Sequence, residues 1–86
     1  MTEPTVFPTV HLNGTSATLL SEGYFAAWNR LNEAITAFNA IEFNQRDYYV
    51  QPDGAWQQAT TERSKAAHKL HEVHKYLETH LIHLGE

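Results

Sequence analysis

The chain has 86 residues, no cysteine and a formal net charge of −4, from 6 basic and 10 acidic side chains. This length fits one domain with a modest core of its own, and the lack of cysteine excludes a disulfide as the element that stabilises so small a scaffold. The acidic balance and the scattered cations argue against the basic face that DNA- and RNA-binding domains use.

The sequence contains no feature that directs a protein to a membrane. No apolar run approaches the ~20 residues that cross a bilayer. The N-terminal stretch Met1-Thr2-Glu3-Pro4 lacks the basic region of a signal peptide. We therefore expect a cytoplasmic protein without a membrane partner.

The first elements in chain order are an extended arm and a turn. Two prolines exclude a helix from residues 1–15 and favour an extended backbone. Asn13-Gly14 is a turn signal. Thr15 or Ser16 can then cap the helix that follows.

A first helix is predicted over residues 16–42. Its interior holds Gly23, which costs about 1 kcal/mol relative to alanine; either a neighbour packs closely there or the fold tolerates the defect. The apolar side chains recur every three or four residues, as in the seam of a coiled coil. They are Leu20, Tyr24, Ala27, Leu31, Ala34, Phe38 and Ile41.

Residues 43–53 are predicted to form a loop, and residues 54–84 a second helix. Asp53 is a suitable cap for this helix, and Gly85 is a fitting end. The residues of its seam are again spaced three or four positions apart. It consists of Trp56, Ala59, Arg63, Ala66, Leu70, Val73, Leu77, Leu81 and Leu84.

Two matched seams joined by a short loop predict an all-α fold, an antiparallel two-helix hairpin that resembles a coiled coil. Such a hairpin has little core, and further bulky side chains on its flanks predict a second buried face. We expect the arm to cover part of this face and a homo-oligomeric helical bundle to cover the rest. The flanking side chains are Phe25, Trp28, Ile35, Tyr76 and Ile82.

Five of the six histidines fall on the predicted second helix. Histidines three residues apart can chelate a metal, but a firm site needs three or four ligands. We therefore predict a polar, partly solvated face without metal, which can respond to pH. These histidines are His68, His71, His74, His80 and His83.

The loop between the helices is the first candidate for a binding site. Arg46 carries a planar fork that suits phosphate or carboxylate, Tyr48 and Tyr49 offer rings for stacking, and Asn44 and Gln51 carry amides that donate and accept. A structural alternative remains open: the arginine pairs with a neighbouring carboxylate or a helix C-terminus, and the tyrosines cover the end of the hairpin. The neighbouring carboxylate is Asp47.

The second candidate is the turn before the first helix, which holds His11, Asn13 and Thr15. A helix N-terminus presents free N–H groups that favour anions, although an ordinary turn and cap explain the same residues. A helix of about 26 residues is ~40 Å long. The turn and the loop therefore lie at opposite ends of one hairpin and meet only if a second protomer packs antiparallel.

The turn before the first helix and the loop between the helices also belong to a pattern that resembles other proteins. This resemblance extends over nearly the whole chain. The order His11-Leu12-Asn13-Gly14-Thr15, a helix, Asn44-x-Arg46-Asp47-Tyr48-Tyr49 and a second long helix resembles small uncharacterised helical proteins encoded by tailed phages and prophages. The resemblance implies a phage accessory protein expressed in a bacterial cytoplasm. Compact helical oligomers of this kind include inhibitors of host defence that sequester cyclic nucleotides or ADP-ribose-type signals at subunit interfaces.

Two functional hypotheses follow. The first is a binder of a small anionic ligand, with a nucleotide signal of anti-phage defence as the expected class. The second is a protein–protein interaction module, either a phage assembly factor or an inhibitor that docks on a host protein. No nucleophile elbow or glycine-rich phosphate loop is present, so we expect no enzymatic activity and no cofactor.

Overall fold

A computed structural model describes residues 4–85 of the chain and confirms the helical hairpin. Helix α1 spans Ala17–Asn39 and helix α2 spans Ala55–Leu84, with a 3-10 helix, Gln45–Tyr48, in the connection. No strand occurs in the described part. Residues 1–3 of the predicted arm lie outside the described residues.

The start of α1 agrees with its predicted cap, whereas its end does not agree with the predicted boundary. The Ser16 hydroxyl accepts the N–H of Leu19 at 3.1 Å, which satisfies one of the free donors of the first turn. The helix ends at Asn39, so the prediction that it extends to residue 42 is wrong. The apolar pattern continues through Ile41, but the chain has by then turned away from the helix.

The start of α2 differs from the sequence prediction in its capping residue. Gly54 is the N-cap, with a φ of 91° that glycine adopts without strain. No side chain caps the helix, so the predicted cap by Asp53 is wrong. The turn is closed instead by the backbone, because the N–H of Ala55 donates to the carbonyl of Pro52 at 3.2 Å.

Arg63 joins the two helices at the loop end of the hairpin. Its guanidinium donates to the carbonyls of Phe38 at 3.2 Å and Ile41 at 3.5 Å. The same group lies 4.9 Å from the ring centre of Phe38 and 4.7 Å from that of Phe43. A cation is favoured at the C-terminal carbonyls of a helix and over an aromatic face. The side chain of Arg63 is thus half-buried at its seam position and makes polar contacts there.

The arm closes the opposite end of the hairpin. Phe7 stacks on His83 with ring centres 4.1 Å apart and meets His80 edge-on at 5.0 Å. Tyr24, early in α1, stacks on the same His80, late in α2, at 4.7 Å. This contact and the one between Arg63 and Phe38 show that α1 and α2 run antiparallel.

The hairpin is long and thin and covers its seam only in part. Its extents are 62 × 29 × 19 Å, and its radius of gyration is 18.5 Å, whereas a compact domain of this length has about 12 Å. Among the described residues no apolar side chain is fully buried, and the one fully buried side chain is that of His80. One hairpin therefore leaves much of its apolar surface in contact with solvent.

Replacing Arg63 tests the contact at the loop end. We expect Arg63→Met to lower the free energy of unfolding by about 1–2 kcal/mol, because the carbonyls of α1 lose a charged donor and two rings lose a cation. Urea denaturation followed by circular dichroism at fixed protein concentration measures the change. Lys65→Met is the control, since this neighbouring lysine is exposed on the same helix. An equal loss in both variants would contradict the specific role of Arg63.

Candidate functional site

The connecting loop, here called the tip (residues 40–54), is built on three aromatic rings. Phe43 stacks on Trp56 at 4.7 Å, and Tyr48 lies 5.9 Å from Phe43 and 5.5 Å from Trp56 between ring centres. The backbone adds a turn, since the N–H of Asp47 donates to the carbonyl of Asn44 at 3.1 Å. Tyr48 is half-buried in this cluster, so its ring supports the tip as the structural alternative expected.

Other tip residues remain open to solvent. Tyr49 is 71% exposed, and Arg46, Asp47 and Gln51 are exposed as well. Within residues 4–85 Arg46 takes part in no ion pair, so the alternative that pairs it with Asp47 does not describe this structure. The tip thus carries an exposed guanidinium and, three residues later, an exposed phenol.

A shallow cavity of about 210 Å³ lies between the tip and the start of α2. Of the predicted loop residues, Tyr48, Tyr49 and Gln51 line it, and Trp56 forms part of its apolar wall. Arg46, Asn44 and Asp47 lie outside this lining. The Asn44 amide instead donates to the carboxylate of Glu42 at 3.2 Å. The structure therefore gathers a part of the predicted set around one cavity.

The turn before α1 presents the second predicted group, His11, Asn13 and Thr15, and all three are exposed. The N–H of Gly14 donates to the carbonyl of His11 at 3.0 Å. A Cβ at Gly14 would lie 2.7 Å from Nε2 of His11, so a larger residue at this position would displace the exposed imidazole. The turn is therefore a closed, ordered structure.

The two predicted groups lie at opposite ends of one protomer. Trp56 beneath the tip and His83 beneath the arm are both in α2, 27 residues apart, which corresponds to ~40 Å along a helix. A single ligand of nucleotide size cannot contact both groups of the same chain. This geometry agrees with the separation expected from the sequence.

His80 corrects the prediction that the histidines form a solvated face. It is 1% exposed and is surrounded by the rings of Phe7, Tyr24 and Tyr76, the last at 4.3 Å. Its Nδ1 lies 2.9 Å from the carbonyl oxygen of Tyr76. The spacing of three and four residues to Leu77 and Leu84 could have indicated an inward position, because it places His80 on their side of α2.

The hydroxyl of Tyr24 in this cluster stays protonated at neutral pH. Desolvation raises the pKa of Tyr24 above its ordinary value of 10.0, and the hydroxyl and charge of Tyr76 add to the shift. The hydroxyl of Tyr24 therefore remains a hydrogen-bond donor throughout the physiological range. The cluster is a packing element that holds the arm, and sequence reasoning did not identify it.

The remaining histidines do not gather into a metal site in the described part of the chain. Nε2 of His68 lies 2.8 Å from Oε1 of Glu72, and Nδ1 of His74 lies 3.8 Å from Oε2 of Glu78, each one helical turn away. Among residues 4–85 no group of three or more histidine or acidic side chains is placed to hold a metal ion.

Comparison with known proteins gives no match to a family model, a curated protein or a solved structure. Within the described residues no helix is long and apolar enough to cross a membrane. The functional argument therefore proceeds from the tip and from the surfaces of the two helices.

Replacing Phe7 tests whether the arm is held by the aromatic cluster. We expect Phe7→Ala to lower the free energy of unfolding by about 1–2 kcal/mol, because a half-buried ring loses its apolar contacts and its stacking partner. Amide hydrogen exchange should also become faster in the last turns of α2. Val6→Ala is the control, since Val6 is largely exposed. Unchanged exchange in Phe7→Ala would show that the arm does not close this end.

Proposed function

We propose that the protein is a non-enzymatic accessory protein of phage type that binds a small anionic ligand and works as a homo-oligomer. The ligand class is a nucleotide that serves as an immune signal, and binding lowers its free concentration in the bacterial cytoplasm. The observation that supports this proposal is the exposed pair of Arg46 and Tyr49 on a tip supported by an aromatic cluster.

Each group at the tip has a role that follows from its chemistry. The guanidinium of Arg46 can clamp a phosphate through two parallel hydrogen bonds. The ring of Tyr49 can stack on a base, an interaction that tolerates different bases. The amides of Asn44 and Gln51 can both donate to and accept from a heterocycle edge.

The packed base of the tip favours binding because it reduces the entropy lost when a ligand is held. Phe43, Tyr48 and Trp56 fix the backbone on either side of Arg46 and Tyr49. Binding then orders few groups beyond the two exposed side chains. The same groups retain a ligand intact, which suits sequestration rather than turnover.

The position of the turn before α1 is the reason why the proposal requires an oligomer. His11, Asn13 and Thr15 of the same chain lie ~40 Å from the tip, so they can complete the ligand site only from another copy. A bundle of antiparallel copies places tips and turns at the same end. The proposed sites therefore lie at subunit interfaces.

Titration calorimetry with cyclic dinucleotides and ADP-ribose derivatives tests the ligand. We expect at least one of them to bind, with an affinity that falls as salt rises, because the contact is partly ionic. Arg46→Ala should weaken that affinity at least tenfold, which corresponds to ~1.4 kcal/mol. Lys65→Ala removes one positive charge elsewhere and should leave the affinity within twofold of the wild type.

Two outcomes would count against the ligand proposal. Absence of heat with every compound of the panel would remove nucleotide-type signals as the ligand class. Equal weakening by Arg46→Ala and Lys65→Ala would show a general charge effect and would remove the clamp.

The exposed aromatic flank favours the second hypothesis, a module that docks on another protein. Phe25 is 54% and Tyr76 is 52% exposed, and large aromatic side chains are frequent anchors of interfaces. Trp28, on the same flank, is half-buried against Phe25 at 6.0 Å and His74 at 5.6 Å. Light scattering separates the hypotheses, since a stable monomer with an open flank supports docking and excludes the proposed inter-subunit site.

A further inference from the structure

We infer that a shallow apolar groove around Gly23 is the surface through which two copies of this chain pair across a two-fold axis. The groove lies on α1 and has a volume of about 250 Å³. This inference rests on the homo-oligomeric function proposed above and assigns a surface to it. The groove is lined by Leu19, Leu20, Gly23, Tyr24, Ala27 and Leu77.

No contact or backbone conformation within a single hairpin explains why residue 23 is a glycine. A Cβ at this position would meet no atom within 4 Å, and its backbone does not adopt a positive φ. Glycine in a helix interior nevertheless costs about 1 kcal/mol relative to alanine. Of the two explanations that the sequence left open, close packing within the protomer is therefore absent, which leaves packing against another molecule or tolerance of the defect.

The exposed surface of the chain supports a second copy as the occupant. The accessible surface is 7016 Å², whereas a compact monomer of 9.8 kDa exposes about 5,200 Å². The difference, about 1,800 Å² per chain, exceeds the ~800 Å² that each partner contributes to a standard interface. Association of hairpins can remove this excess, while a small ligand in a groove of this size cannot.

The groove is also complementary to itself. Leu19 is 62% exposed and projects one helical turn before Gly23, while the small side chain of Ala27 lies one turn after it. Residues four apart share a helix face. A two-fold axis at Gly23 with antiparallel α1 helices therefore places Leu19 of each copy against Ala27 of the other, as an isologous interface requires.

This pairing is one contact of a larger bundle. Measured along the axis of α1, Thr15 before the helix lies ~12 Å and Ile41 after it lies ~27 Å from Gly23, on opposite sides. In the pair, the tip of one copy therefore extends beyond the turn of the other by about 15 Å. A ligand that uses both groups requires a further contact between pairs, so we expect a mass that is an even multiple of 9.8 kDa.

Light scattering after size exclusion tests the groove with one variant and one matched control. Gly23→Leu fills the groove from a position where a Cβ meets no atom of the protomer within 4 Å. Circular dichroism should therefore show retained helix, and the mass should fall at least twofold. Asn29→Leu adds the same side chain at an exposed position on the opposite side of α1, and its mass should equal that of the wild type.

A side-chain exchange tests the register of the pair. Ala27→Leu alone should lower the mass, because two leucines then oppose each other at each contact. The double variant Leu19→Ala and Ala27→Leu interchanges large and small partners and should restore it. An unrestored mass would overturn the pairing of Leu19 with Ala27.

The outcomes separate this inference from the proposed function. A wild-type mass that Gly23→Leu leaves unchanged would overturn the groove, and the tip could still bind its ligand through another assembly. A monomeric wild type would overturn the groove and the inter-subunit site together. Loss of mass in Gly23→Leu without ligand binding in the wild type would confirm the groove and remove the nucleotide proposal.

Discussion

The structure depends on a geometric constraint: two helices alone can cover each other's apolar seam from one side only. Leu31 and Leu70, which lie well inside their helices, are therefore half-buried rather than enclosed. Burial of this extent stabilises less than a closed core, because the favourable free energy scales with the area removed from water. Contacts at the two ends of the hairpin must then contribute a larger share of the stability.

At each end of the hairpin, a side chain with a planar polar group contacts both a carbonyl and an aromatic ring. Arg63 donates to carbonyls of α1 while it lies over Phe38 and Phe43, and His80 contacts a carbonyl with Nδ1 while its ring stacks on Tyr24. An aliphatic side chain at these positions could supply the packing but not the additional polar contact with a carbonyl. A guanidinium or an imidazole meets both needs in one group.

The sequence predicts the helices better than it predicts their ends or the site. Spacing of threes and fours is a property of many residues, so the two helices follow from it. Residue type offered Thr15 or Ser16 as the cap of α1, and Ser16 is the one that caps it. The end of α1 depends on Arg63, which is distant in sequence, and the position of His80 depends on Phe7 in the arm. The local sequence pattern cannot contain such distant partners. The predicted cap by Asp53 failed for a local reason, because the adjacent Gly54 took that position.

Tyr48 and Tyr49 show why residue type alone does not define a site. They are identical neighbours in sequence, yet the 3-10 helix ends between them and directs one ring into the cluster with Trp56 and the other into solvent. The half-buried ring of Tyr48 fixes the backbone that carries the exposed ring of Tyr49. A ligand that stacks on Tyr49 would therefore bind to a surface whose order does not depend on the ligand, and the affinity would reside in the exposed ring and in Arg46. The groups for stacking and clamping are thus fixed within one chain, whereas the complete proposed site also needs the turn of a second copy and therefore depends on assembly.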